Sequence, residues 1–297
     1  MAGPSSVPEF QKKTFRAPGV SIHYAEGPQN GAPLVLLHGL ARDWKSFSVL
    51  LPEISSRFHV FALDLRGHGA SRHVTRAYRI DESAEDVAKF LTTLLPGGAA
   101  IFGHSLGAMV GMCVASENCK VNALIVGDSM ISSDNFASSM YAPLFRQLRE
   151  LMLRGGSQEE LARGIGKMAI VVPGLQEAVR IEELPGNDED SLLEWARCAL
   201  QTDPDTLAMA LDGSSYGGWD PERVLPRISC PTLLLQGNPE LGALLTNEDA
   251  ELALKLLPNG ELVKFPLLGH ALFMQQPQPV LKAAMSFLER HVAKSQA

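Results

Sequence analysis

Over the first 130 residues the order of apolar and polar positions predicts strands alternating with helices. Val20-Ser21-Ile22-His23-Tyr24 alternates the two kinds of side chain, as a half-exposed edge strand does. Leu34-Val35-Leu36-Leu37 is apolar throughout, as suits a parallel strand buried on both faces. Trp44, Phe47, Leu50, Leu51 and Ile54 recur at helical spacing and predict a helix over 44–54. Val60-Phe61-Ala62-Leu63 reads as the next strand. Ser83 with Asp86 has the form of a capping box, opening a helix through Leu95. Ala99-Ala100-Ile101-Phe102 is another buried strand, and the polar-free run Ala108–Ala115 a helix packed on it. Ala123–Val126 closes this half as a strand.

The rhythm then breaks. Between about Ile131 and Glu222 helical patterns predominate, at Tyr141–Leu153, Glu159–Ile170, Ser191–Leu200 and Thr206–Leu211. Gly155-Gly156, Pro173-Gly174 and Pro185-Gly186 punctuate them. Alternation resumes with a strand at Thr232–Gln236, a helix at Glu248–Leu257, a strand at Glu261–Phe265 and a final helix at Val280–Val292. The prediction is an α/β fold, a doubly wound and mostly parallel sheet with a helical cap insertion. Residues 1–130 and 223–297 form the core, and 131–222 the cap. An insert there lies over the carboxyl ends of the strands, where open α/β sheets bind ligands.

Composition narrows the function classes. The 297 residues are 45% apolar, enough for a large core, and the net charge of −7 argues against nucleic acid or an anionic membrane as partner. Arg66, Arg72, Arg76 and Arg79 form the only loose basic cluster, expected to be a solvated loop. Met1–Pro8 lack the basic start and apolar run of a secretory signal, and no apolar run reaches transmembrane length. Cys113, Cys119, Cys198 and Cys230 follow no metal or disulfide spacing, so free thiols in a reducing cytoplasm are expected. The expected partner is a small molecule, and the expected state a monomer or homodimer.

The chemistry is concentrated in Gly103-His104-Ser105-Leu106-Gly107, a G-x-S-x-G pentapeptide between the buried strand and the apolar helix. That context marks a nucleophile elbow, which holds a serine hydroxyl clear of the sheet. Serine needs a base. Of the eight histidines, His23, His59, His73 and His291 fall on positions that suit surface or structural residues. His270 lies in the loop after the last strand, on the sheet edge that carries the elbow, and is the candidate general base. His38-Gly39-Leu40 follows the first buried strand. The backbone N–H groups of Leu40 and Leu106 are the candidate oxyanion donors, with His38 a turn-stabilising side chain.

Taken together, Leu37-His38-Gly39, Asp64-Leu65-Arg66-Gly67-His68-Gly69-Ala70-Ser71, the elbow and Gly269-His270 resemble the α/β-hydrolase fold superfamily, most of all its small serine hydrolases with an inserted helical cap. The resemblance implies a Ser–His–acid triad and two-step acyl transfer, with no cofactor and no metal. It leaves two candidates for the acid. Some relatives carry it where Asp128 stands, at the end of Ala123–Gly127. Many place it three residues beyond a glycine after the penultimate strand, where Gly237-Asn238-Pro239-Glu240 offers Glu240. The longer loop that follows Glu240 departs from the family pattern.

Met130, Met140, Met152, Met168 and Met209, with Phe136, Tyr141, Phe145, Trp195, Tyr216 and Trp219, fall in or beside the cap. Most are expected to be packing residues, yet such content favours an apolar pocket above Ser105. The expected substrate is a medium-sized, largely uncharged ester, with a lactone or thioester next. Carbon–carbon bond hydrolases and cofactor-free perhydrolases share the same resemblance. Epoxide hydrolases and haloalkane dehalogenases carry aspartate where this chain has Ser105. A ligand receptor on a hydrolase scaffold would present the same motifs, and sustained turnover would separate it from an enzyme.

Overall fold

The computed structural model describes residues 9–74, 76–117, 120–132, 139–171, 177–184 and 186–292. Its main sheet has eight strands: β1 (Gln11–Ala17), β2 (Val20–Glu26), β3 (Pro33–Leu37), β4 (His59–Leu63), β5 (Ala99–His104), β6 (Val121–Gly127), β9 (Thr232–Gln236) and β10 (Gly260–Lys264). A separate two-stranded ribbon comprises β7 (Ala169–Ile170) and β8 (Val179–Arg180). The main sheet is ordered β1-β2-β4-β3-β5-β6-β9-β10. β1 and β2 pair antiparallel, as do β2 and β4, and the remaining pairs are parallel.

Side chains alternate across the sheet with a period of two. Val35, Leu37, Ile101 and Val126 face the helices α2 (Ile80–Leu94), α3 (Leu106–Ser116) and α9 (Asn247–Leu256). Leu34, Leu36, Phe102 and Ile125 face α1 (Leu51–Ile54), α10 (Leu272–Gln275) and α11 (Pro277–His291). Both faces are covered, which is why these strands read as continuous apolar runs.

Several expectations are corrected. Val20–Glu26 is not an edge strand but lies between β1 and β4. β1 escaped the pattern because only Phe15 of its side chains is buried. The helix expected over 44–54 is a 3₁₀ turn, Trp44–Phe47, then the single turn α1, with Pro52 in the first turn of α1 and Asp43 capping the 3₁₀ turn. α2 starts before Ser83. Its capping group is Glu82, whose carboxylate accepts from the Arg79 N–H at 2.9 Å, while Asp86 is used elsewhere. The helix expected through Ile170 ends at Gly166, and the chain turns into the β7/β8 ribbon.

Between β6 and β9 the chain carries α4 (Tyr141–Arg154), α5 (Gln158–Gly166), α6 (Glu189–Leu200), α7 (Pro204–Asp212) and the short α8 (Pro221–Val224). Leu144, Leu148, Leu161, Ile165, Trp195 and Leu207 pack into a cluster of their own, which takes in Ala41 from the loop after β3. Polar contacts join these helices to loops beyond the carboxyl ends of the strands. The Asp203 N–H donates to the Gly67 carbonyl at 2.8 Å, Tyr78 Oη to Asp203 at 2.6 Å, and Tyr141 Oη to the Gly242 carbonyl at 2.8 Å. Cys113, Cys198 and Cys230 are free thiols, pushed by burial to about 12, about 12 and about 11. Cys119, Phe136 and Pro173-Gly174 lie outside the described residues. Among the described residues no helix is long and apolar enough to cross a membrane.

Candidate active site

Ser105 sits between β5 and α3 with φ 54° and ψ −121°, a backbone conformation costly for any residue with a side chain. The chain is held there from both sides. The Ser105 N–H donates to the Gly127 carbonyl at 2.9 Å, and its own carbonyl accepts from Ser129 Oγ at 3.0 Å. Small residues are obligatory around it: a Cβ on Gly107 would stand 2.1 Å from the Leu37 carbonyl oxygen, and one on Gly103 2.3 Å from that of Gly107. The close approach of β3, β5 and α3 thus fixes the position of the hydroxyl.

His270 follows Gly269 in the loop between β10 and α10. Its Nδ1–H donates to Asp128 Oδ2 at 2.7 Å, which leaves Nε2 as its free nitrogen. Asp128, at the end of β6, is fully buried and itself has a positive φ of 37°. Backbone N–H groups converge on its carboxylate: Leu244 on Oδ2 at 2.8 Å, Gly237 and Leu245 on Oδ1 at 3.2 and 3.4 Å. Together with the His270 bond, these contacts hold the carboxylate immobile. Glu240 is exposed on the turn after β9, where its N–H is bonded to Asn238 Oδ1. Of the two candidate acids, the structure brings Asp128 to His270.

Three buried histidines wire the loops around this centre, a role that only His38 suggested in the sequence. His38 donates from Nδ1 to the Gly39 carbonyl at 2.8 Å and accepts the Leu65 N–H on Nε2 at 3.0 Å. His68 donates from Nδ1 to the Arg66 carbonyl and accepts the Ala41 N–H on Nε2 at 3.2 Å. His104 donates from Nε2 to the His270 carbonyl at 2.9 Å. Burial holds all three in the neutral form, pushing His68 and His104 down to about 3. Two bonds through one imidazole require the neutral ring, so geometry and protonation agree for His38 and His68. Arg66 is not in a solvated loop: its Nε and Nη2 fork onto Asp86 at 2.8 and 2.7 Å.

Two cavities meet at Ser105. The larger, about 380 Å³, is lined by Ser105, His270, Leu40, Tyr141, Phe145 and Trp195 among others. The smaller, about 40 Å³, runs behind Ser105 between Leu106, Met109, Met130, Tyr216 and several hydroxyl side chains. Leu40 lines both, and Leu106 the smaller. Tyr141 lies against His270, with ring centroids 5.4 Å apart. Of the expected cap residues, Met140, Tyr141, Phe145 and Trp195 line the large cavity, and Met130 and Tyr216 the small one. Met168 and Trp219 are packing residues.

Asp43, Glu194 and Cys198 bring three potential metal-ligand atoms within 4.8 Å of one another. Arg197 stands among them, with Nη2 donating to Asp43 Oδ2 and Glu194 Oε1 at 2.6 Å each and to Cys198 Sγ at 3.3 Å. The cluster is a guanidinium socket that joins α6 to the loop after β3.

Residues 34–283 match the family described as the alpha/beta hydrolase family. The chain is similar to the pimeloyl-[acyl-carrier protein] methyl ester esterase of Nitrosomonas europaea, 28% identical over 261 residues, which cover 87% of this chain and 96% of that protein. It is also similar to the magnesium-chelatase 30 kDa subunit of Rhodobacter capsulatus, 26% identical over 222 residues, 71% of this chain and 72% of that one. Among solved structures, the enol-lactonase from Burkholderia xenovorans LB400 superimposes with a TM-score of 0.71, covering 93% of this chain and all of that one at 17% identity. This last is a likeness of fold.

Proposed function

Because the chain belongs to the alpha/beta hydrolase family, we propose that it is a serine hydrolase acting on a medium-sized, largely apolar carboxylic ester or lactone through an acyl-enzyme. The observation that carries the reading is Ser105, strained at the meeting of two cavities, one of which it shares with a histidine buttressed by a buried carboxylate. Residues 131–222 act as the cap that shapes the larger cavity.

In this reading His270 Nε2 takes the Ser105 proton while Oγ bonds to the carbonyl carbon. The oxygen becomes negative and is held by the N–H groups of Leu40 and Leu106. The carbon–oxygen bond to the leaving group breaks, and the alcohol departs with the proton from His270. Water, deprotonated by the same nitrogen, attacks the acyl carbon and releases the acid and free Ser105. Asp128 keeps the ring in the tautomer with hydrogen on Nδ1 and stabilises its cationic form. The small recess takes the smaller fragment of the ester.

Exposure to a fluorophosphonate followed by peptide mass spectrometry tests the reading. One adduct is expected, on the peptide containing Ser105, with parallel loss of p-nitrophenyl ester hydrolysis. A Ser105→Ala variant that still turns over the same esters would overturn it.

A further inference from the structure

The large cavity carries one fixed charge that the mechanism above does not use. Arg42 follows the Gly39-Leu40-Ala41 segment and lines the cavity that Ser105 and His270 share. Its guanidinium carbon lies 4.8 Å from the centroid of the Trp195 ring, a side chain only 8% exposed. Among the described residues nothing accepts a hydrogen bond from Arg42, and no carboxylate comes within ion-pair distance of it. The nearby acids Asp43 and Glu194 are both engaged by Arg197. No aspartate or glutamate is among the described residues that line the cavity. Apart from imidazoles, its other polar groups are neutral.

We propose that Arg42 is the recognition group for a carboxylate that the substrate carries at a distance from the scissile bond, at the end of an otherwise apolar body. The inference rests on the hydrolase reading and adds one remote anionic end to its largely apolar substrate. The Arg42 guanidinium lies over the Trp195 ring in a cation–π contact, an interaction that uses none of its N–H donors and leaves them for a carboxylate. Glu194 feels the charge of Arg42 but does not pair with it, and partial burial with no carboxylate in contact costs desolvation energy that an arriving carboxylate offsets. Arg42 also acts on His104, where after burial and His270 it adds to the forces holding that imidazole neutral, so its field reaches the elbow.

The test compares p-nitrophenyl hexanoate with mono-p-nitrophenyl adipate, which has the same chain length and a terminal carboxylate. The wild type should favour the adipate ester. In Arg42→Gln the ratio of kcat/KM values, adipate over hexanoate, should fall by roughly tenfold or more, and Arg42→Lys should recover part of it. A ratio unchanged in Arg42→Gln, whose folding is checked by its thermal midpoint, overturns the proposal. So does an equal loss on both esters. Free adipate titrated calorimetrically into Ser105→Ala, with and without Arg42→Gln, reads the same contact without chemistry. Binding abolished by Arg42→Gln supports the carboxylate site, and binding indifferent to it overturns the site. Failure of the wild type to hydrolyse either ester strikes the hydrolase reading instead, and the calorimetry still decides Arg42.

Discussion

The Nε2–H of His104 donates to the backbone carbonyl of His270 at 2.9 Å, so the residue before the elbow serine holds the peptide that presents the proposed base. The rings of the two residues lie 4.8 Å apart. The bond ties together residues 166 positions apart in the chain. Replacing His104 by Leu leaves a carbonyl without its donor, at a cost of about 1–3 kcal/mol in stability. The kcat for ester hydrolysis should fall with little change in KM, and His104→Gln, which keeps a donor, should recover part of it. Equal kcat in the Leu and Gln variants would remove the positioning role.

The choice of acid can be decided by a pair of neutral isosteres. Asp128→Asn should lower kcat by up to about 10⁴-fold, because an amide there favours the wrong imidazole tautomer. Glu240→Gln, at an exposed turn, should remain within about twofold of the wild type. The reverse order would transfer the role to Glu240.

The neutral histidines make stability depend on pH. His68 and His104 titrate near 3 in the fold and from an ordinary value of 6.5 when unfolded. Below about pH 6.5 the unfolded chain therefore binds protons that the fold rejects. Their contribution is complete above that pH and declines as pH falls toward 3. Each adds about 1.4 kcal/mol per pH unit to the slope within that window. Urea unfolding between pH 6 and 5 should show a shallower slope in His68→Gln and in His104→Gln. An unaltered slope would mean that neither ring is held neutral.

The socket around Arg197 should be worth more than a surface ion pair. Asp43 has a side chain only 3% exposed, and Arg197 20%. Arg197→Met strands a buried carboxylate, and with partial solvent access the loss should be roughly 2–3 kcal/mol. Double substitution with Asp43→Asn should cost less than the sum of the single changes. Additive losses in denaturant unfolding would show that the two groups do not interact.

Arrangements settled over a few consecutive residues were legible in the chain itself. The strands β3, β5 and β9 appear as apolar runs, and the turn at Ser105 as closely spaced glycines, because short-range sterics and burial on both faces of a sheet dictate those residue types. Helix ends were less legible: at α2, Glu82 rather than Asp86 supplies the cap.

What only the tertiary structure decided are meetings between distant segments. Two carboxylates on neighbouring strand ends looked equally able to reach His270. The choice depends on the loop after β9, whose Gly237, Leu244 and Leu245 amides gather on Asp128 while Glu240 turns to solvent. Arg66 read as a solvated cation until the fold set Asp86 against it. β1 was hidden because a strand covered on one side needs little apolar content. Hydrophobic periodicity reports which face of an element avoids water, whereas the partner of a charge is set by how whole layers dock.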